Sequence, residues 1–474
     1  MAKSSSTHFM YISNNSTIYA ARPRSYDVFF GPLSRFPGPR SWAASYIPRV
    51  ATVFAGQDAQ VWTKLHERYG AIVRIGPREL SVIPVPGNNA WKDIYGFKNP
   101  LPRDPDFSVK SMNGTHSVLS ADGAHHARQR KALAHAFSDR ALKQQEPLLQ
   151  RWAMLLKQKL AERADGTTAV DMATMYNCAT FDIMGDLTFS ESLHMLENSK
   201  YTPWWSKWGV NYLVSKSKAL RRERLEHWRY TADRIERRVQ REPEHADLWS
   251  YITKYEGEED GLRPGEHHSN AALFMIAGTE TTATALAGTT YHLVQNPRMM
   301  QKMVAELRGA FPHPGTVDLE SLAHLPYLNS VLHEGLRMYP PVPSSRPRRT
   351  GPEGATICGE YIPGDIRISI PHLATYRSSA NFKDPDSFEP ERWLKNEAYR
   401  DDNLSAVQPF SFGPTNCLGK NLAWHEMRLL LAVVLLHFDL RLCPEAKDWT
   451  NQKVFTFWEK PPLLCTLEPT ALDL

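Results

Sequence analysis

The chain has 474 residues, 42% hydrophobic and 23% charged, which is the balance of a soluble globular protein and excludes a disordered chain, a collagen or a multi-span membrane protein. A formal net charge of +5 is too slight over this length to mark a nucleic-acid binder. The cysteines Cys178, Cys358, Cys417, Cys443 and Cys465 are odd in number and show no CxxC spacing, which argues against a disulfide framework or zinc ribbon and for a reducing compartment.

Residues 1–30 are rich in Ser, Asn and Thr. They contain no apolar stretch approaching the roughly 20 residues that cross a bilayer, and no signal-peptide core. Residues 1–35 therefore read as a polar leader without a membrane anchor, and the Asn15 and Asn113 sequons as accidental. Phe36-Pro37-Gly38-Pro39 is a stiff turn opening the body, 36–474. Asp58–Tyr69 reads as a helix closed by Gly70. Ile72–Ile75 and Leu80–Ile83 flank Gly76-Pro77 as a hairpin. From about 122 to 300 apolar residues recur every three or four positions, as in the stripe Leu225, Trp228, Ala232, Ile235 and Val239. Proline is dense from Pro340 onward. A strand-like piece at Ile366–Ile370, an irregular stretch at 380–410 and an apolar helix from 418 to about 438 follow. With no repeat and no linker, the fold class is one large, mainly α domain with a minor β part.

Three segments carry chemistry. In the helix near 270–295, Ala277-Gly278-Thr279-Glu280-Thr281-Thr282 puts glycine and β-branched residues mid-helix, where they are poor helix formers. Threonine hydroxyls there can bond back to carbonyls, and a Glu beside a Thr suits proton delivery; small residues for close helix packing explain the same letters. Glu334-Gly335-Leu336-Arg337 stacks an acid and a base on one helix face. Such pairs are mostly surface decoration, but Pro390-Glu391-Arg392-Trp393 can supply a third charge to a buried network. In Phe410-Ser411-Phe412-Gly413-Pro414-Thr415-Asn416-Cys417-Leu418-Gly419-Lys420, two glycines bracket a cysteine directly before a helix, whose dipole favours a thiolate. That thiolate is a metal ligand or a nucleophile. The lack of a paired Cys or His disfavours zinc, and a lone axial thiolate on haem iron fits; a buried inert cysteine is the alternative.

In this order, the motifs make the chain resemble the cytochrome P-450 superfamily, the haem-thiolate monooxygenases, from Phe36 to the end. Asp182-Ile183-Met184-Gly185-Asp186 and Phe382-Lys383-Asp384-Pro385 resemble eukaryotic, particularly fungal, members. The resemblance implies the cytochrome P-450 fold and haem b with Cys417 as axial ligand, Phe410 packed beneath it, and Gly413 and Gly419 shaping the loop. It further implies His126, Arg130 and Arg348 at the haem propionates, although Arg346 and Arg349 leave the register at Arg348 open. Glu280 and Thr281 would serve oxygen protonation, Ala277 and Gly278 would line the distal pocket, and Glu334, Arg337 and Arg392 would form a structural charge network. One departure stands out: Thr415 occupies a place where the family carries Arg or His. On this reading the remaining cations carry more of the propionate charge, and an arginine at 415 would slow haem loss.

The function so implied is a monooxygenase that uses O2, with electrons from NADPH delivered by a separate NADPH-cytochrome P-450 reductase, cytochrome b5 being a second candidate donor. Its substrate would be a lipophilic small molecule, hydroxylated or epoxidised in secondary metabolism or xenobiotic oxidation. Expected substrate contacts are 103–119, 201–215, Phe274, Val342–Ser345 and Phe455–Phe457. Rearrangement or oxidative coupling without oxygen insertion, or haem binding without turnover, are the alternatives; the intact Glu280-Thr281 pair favours the monooxygenase. Arg128, Arg130, Lys131 and Lys420 would gather on the cysteine side as a reductase-facing surface. The family implies the cytoplasmic side of the endoplasmic reticulum. Trp204, Trp205, Trp208 and nearby lysines would support peripheral membrane contact without an anchor, or else form a wall of the substrate channel.

Overall fold

In the computed structural model, the described residues are 24–470 except 109, 199–217, 244, 256, 258, 314–316 and 345. Among them the helices of nine residues or more are α1 (Ile47–Ala55), α2 (Asp58–Tyr69), α3 (Gly123–Ala134), α4 (Asp139–Ala161), α5 (Met172–Phe189), α6 (Lys218–Val239), α7 (Pro264–Gln295), α8 (Pro297–Ala310), α9 (Pro326–Met338) and α10 (Lys420–His437). α2 ends where the sequence predicts, at Gly70 with φ +90°. α7 starts with Pro264 at its first position, where the missing N–H costs nothing, and the Glu266 carboxylate accepts the Arg263 amide at 2.9 Å.

Helices that are apolar all round belong inside, and three of them form the centre. Along α5 Tyr176, Phe181 and Leu187 are buried, along α7 Ala271, Met275, Ala283 and Leu286, and along α10 the run Leu429–Leu436. α5 and α7 are also stitched by polar contacts: Tyr176 Oη lies 2.9 Å from Thr290 Oγ1, and Thr180 Oγ1 donates to the Thr279 carbonyl at 3.1 Å. α6 lays the expected stripe inward at Ala232 and Ile235.

The β part is small. β1 (Ile72–Gly76) and β2 (Glu79–Val82) form the expected hairpin, β2 runs parallel to β7 (Arg367–Ser369), and β4 (Arg348–Arg349) closes the sheet antiparallel to β7. A second sheet has the order β3 (Val170–Asp171), β11 (Leu464–Pro469), β8 (Phe438–Leu442). Two hairpins, β5–β6 (Ala355–Ile357 with Glu360–Ile362) and β9–β10 (Val454–Phe455 with Phe457–Trp458), complete it.

The fold is mainly α with a minor β part, as the sequence predicts. The packed body reaches further back than residue 36: Arg24–Phe29 is helical, and Leu33 is buried with Phe36, Leu80 and Ile368. Two apolar side chains within a polar stretch give no periodic signal in the sequence. No helix among the described residues is long and apolar enough to cross a membrane.

Candidate functional site

The turn before α10 is built around two backbone constraints. Gly413 sits at φ +73°, and a Cβ there would stand 1.8 Å from the Tyr95 carbonyl oxygen, so no other residue fits. The Cys417 amide donates to the Phe410 carbonyl at 2.8 Å and closes the loop. Gly419 meets no such obstacle. The Phe410 ring packs 6.1 Å from that of Trp424 on α10. The Cys417 side chain is accessible, although the protein around it still desolvates the sulfur. Burial pushes its thiol up, while the Gly419 amide, Arg130 and Lys420 pull it back without reversing the shift. The helix start pulls in the expected direction but is outweighed by desolvation; a bound metal would deprotonate the sulfur outright.

Beside this turn lies a concentration of positive charge. Arg130, one helical turn after His126 on α3, donates to the Asn416 carbonyl at 2.7 Å and also to the Asn416 side chain. Arg348 on β4 donates from Nη2 to the Thr415 hydroxyl at 2.5 Å, and its buried Nε has no hydrogen-bond partner. Arg103 bridges to Arg348 through the backbone and points its guanidinium at the Val118 and Ala121 carbonyls. Burial, then Arg346, Arg348 and Arg130, push Arg103 down to about 10 against the opposing pull of Asp122. Burial and the three arginines 103, 130 and 348 hold His126 down to about 4, so it is neutral at pH 7. Arg103, Arg130 and Arg348 thus gather around a neutral histidine, a setting that suits an anion.

Of the three neighbouring arginines, Arg348 is the one that reaches the cysteine turn. Arg349 turns away to Asp104, Asp106 and Asp365, and Arg346 donates to the Leu119 carbonyl. Arg103 opens the 103–119 stretch expected to contact substrate; its place among these cations was not expected, because a lone arginine in a loop carries no spacing signal.

On α7, Ala277 is exposed although Met275 and Thr279 on either side of it are buried. The Thr281 hydroxyl bonds back to the Ala277 carbonyl at 2.6 Å. A Cβ at Gly278 would stand 2.4 Å from Met184 Sδ, so this glycine makes room for α5. Glu280 is not hydrogen-bonded to Thr281; its carboxylate accepts from Lys460.

Glu334, Arg337 and Arg392 form the predicted network, with Glu334 and Arg337 fully buried. Arg337 grips Glu334 with Nε at 2.9 Å and Nη2 at 2.7 Å. Arg392 Nε adds a bond at 3.1 Å and Trp393 Nε1 one at 2.9 Å. Arg392 also pairs with Asp402, a partner the motifs did not name. Burial raises the Glu334 carboxyl, but the two arginines and their hydrogen bonds outweigh it and hold it below the usual range. Of the basic residues expected on the cysteine side, Arg128 is paired with Glu266 and Lys131 with Asp260, which leaves less free charge than the sequence suggested. The Trp204–Trp208 segment and 201–215 lie outside the described residues, as does Ser345.

An accessible thiol, a cation cluster with an orphaned guanidinium N–H, and a helix with one exposed small residue together fit a haem bearing carboxylate groups. This arrangement defines a haem-thiolate protein. The cytochrome P450 family model matches residues 37–219 and 201–466. Cytochrome P450 monooxygenase efuB of Hormonema carpetanum is 46% identical over 94% of this chain and 93% of its own length. Cytochrome P450 monooxygenase astA of Talaromyces wortmannii is 38% identical over 94% of each. Averantin hydroxylase of Dothistroma septosporum is 38% identical over 94% of this chain and 89% of its own. The chain belongs to the cytochrome P450 family and is a monooxygenase of the fungal type.

Proposed function

We propose that this monooxygenase hydroxylates or epoxidises a lipophilic small molecule of secondary metabolism, taking electrons from NADPH through a separate reductase. The observation that carries it is the exposed step on α7, where Ala277 leaves space beside a Thr281 hydroxyl already ordered on its carbonyl. Haem b, when bound, supplies the activation of O2 and the insertion of one oxygen atom. Cys417 would hold its iron through the sulfur. Arg103, Arg130 and Arg348, with neutral His126 and the Thr415 hydroxyl, would hold its carboxylates by charge-assisted hydrogen bonds. Thr281 would hold a proton donor toward the oxygen, with Glu280 supplying protons along α7.

Phe274, buried on α7 against Phe137 and Trp249, supports an apolar substrate region. The test is turnover with NADPH, a fungal reductase and 18O2 across a panel of lipophilic aromatic and terpenoid compounds. Incorporation of a single labelled atom is expected; products without label would favour rearrangement or coupling.

Peripheral contact with a lipid surface is part of the same reading. Phe29 and Phe30, and Ile47, Val50 and Phe54 on α1, are exposed, and the Arg40 guanidinium lies over Phe29. Aromatic, apolar and basic residues together suit the lipid–water boundary. Sedimentation with anionic vesicles that Phe30→Ser and Phe54→Ser abolish is expected; no sedimentation of the parent would remove it.

A further inference from the structure

Lys460 stands at the Glu280 carboxylate without a role assigned to it. Its Nζ donates to Glu280 Oε1 and, at 2.7 Å, to Thr284 Oγ1, which itself lies 3.4 Å from the same carboxylate oxygen. The lysine side chain is 6% exposed and the glutamate 22%. This is not a loose surface pair, because the backbone around the lysine is held on both sides. Trp458 Nε1 donates to the Pro340 carbonyl at 2.8 Å, the Glu459 amide to Lys453 at 2.9 Å, and Trp449 Nε1 to the Pro461 carbonyl at 2.8 Å. The segment after β10 therefore brings an ammonium to a fixed point on α7.

Glu280 and Thr284 are one turn apart and share a helix face, whereas Thr281 is rotated about 100° from Glu280. The Thr281 hydroxyl is committed to Ala277 and the Glu280 carboxylate to Lys460. The two groups read as acting together are thus held by different partners. We infer that Lys460 is a positioning residue: it fixes the Glu280 carboxylate on the Thr284 side of α7, and ordered proton delivery through Glu280 depends on that clamp. The inference rests on the reading of Glu280 as the acid of the site. An ammonium has three donors, and two are used here. Without it, a largely buried carboxylate loses its counter-charge and is free to rotate or to take up a proton.

The test compares Lys460→Met, Lys460→Arg, Glu280→Gln and the Lys460→Met/Glu280→Gln double variant, each as holoenzyme. The first readout is infrared spectroscopy of the resting protein, in which the band lost in Glu280→Gln identifies the Glu280 carboxylate. Lys460→Met should shift that band or replace it by a protonated-acid band, and Lys460→Arg should restore it. The second readout is the share of consumed NADPH released as peroxide. It should rise severalfold in Lys460→Met, be largely rescued in Lys460→Arg, and be no higher in the double variant than in Glu280→Gln. A Glu280 band unmoved by Lys460→Met overturns the inference, even where the melting temperature falls, since that marks a structural staple. So does a moved band with an unchanged peroxide share while Glu280→Gln uncouples. If Glu280→Gln itself leaves coupling intact, the acid role of Glu280 fails separately, and the band alone decides whether the clamp stands.

Discussion

Arg348 donates to the Thr415 hydroxyl at 2.5 Å and so ties β4 to the turn that carries Cys417. The sequence alone leaves position 415 short of a positive charge; the structure supplies that charge from the neighbouring strand. An arginine at 415 would meet a guanidinium already in place, with Arg103 and Arg130 close by. The sequence expectation is therefore reversed: Thr415→Arg should release haem to an apo-globin acceptor as fast as the parent or faster, and Arg348→Ala or Arg130→Ala should release it faster still. Slower release from Thr415→Arg would show that the cluster has room for another cation.

Cys417 is the one cysteine set in the turn between Gly413 and α10. Cys178 and Cys465 are buried in the core and Cys358 stands in the β5–β6 turn; burial pushes all three thiols up to about 12. Cys417→Ala should abolish the red-shifted Soret band of the reduced CO complex. A thiolate-type spectrum surviving in that variant would assign the ligand elsewhere.

The Thr281 hydroxyl spans one turn of α7 to Ala277 at 2.6 Å, so removing it leaves the fold intact and deletes an ordered donor. Thr281→Ala should bind haem normally and melt within about a degree of the parent, while a larger share of NADPH ends as peroxide. Unchanged coupling would count against Thr281 as part of proton delivery.

What could be read beforehand followed from how local each feature is. The α7 motif, the Glu334–Arg337 pair and the cysteine turn are contiguous, and each segment carries its own physical reason. Direction was harder: the close approach of Met184 of α5 to Gly278 is not written in the motif. Contacts between distant residues were not legible. Arg103 meets Arg348 only through sheet pairing, and Lys460 meets Glu280 only because β9–β10 returns to α7. Asp402 escaped for the same reason, lying in an irregular stretch with no period to place it.

Glu334 accepts from Arg337, Arg392, Trp393 and the Glu389 amide, all out of water. Removing one member of a buried charge network leaves the rest uncompensated, at about 3–5 kcal/mol. Glu334→Gln and Arg337→Ala should each fail to accumulate as holoprotein or melt many degrees lower. Arg337→Lys should rescue poorly, because an ammonium cannot reproduce the two-point grip. Near-parental melting of Glu334→Gln would mean the network is not needed for the fold.

Glu426 on α10 presents the opposite situation, a carboxyl 1% exposed whose two oxygens have no hydrogen-bond partner. Burial pushes it from 4.5 up to about 8, and nearby Thr282 of α7 pulls it back only in part. The folded protein thus holds a proton that the unfolded chain releases. The stability this confers is fully present below pH 4.5 and is lost as pH rises through about 8. Glutamine at 426 keeps the shape without the charge and should remove this dependence. Glu426→Gln should melt close to the parent at pH 5 and progressively above it toward pH 8, by a few degrees. Other titrating groups are common to both proteins and cancel in the difference. A Glu426→Gln minus parent difference that stays flat from pH 5 to 8 would show that Glu426 is charged in the fold and that its oxygens have found partners.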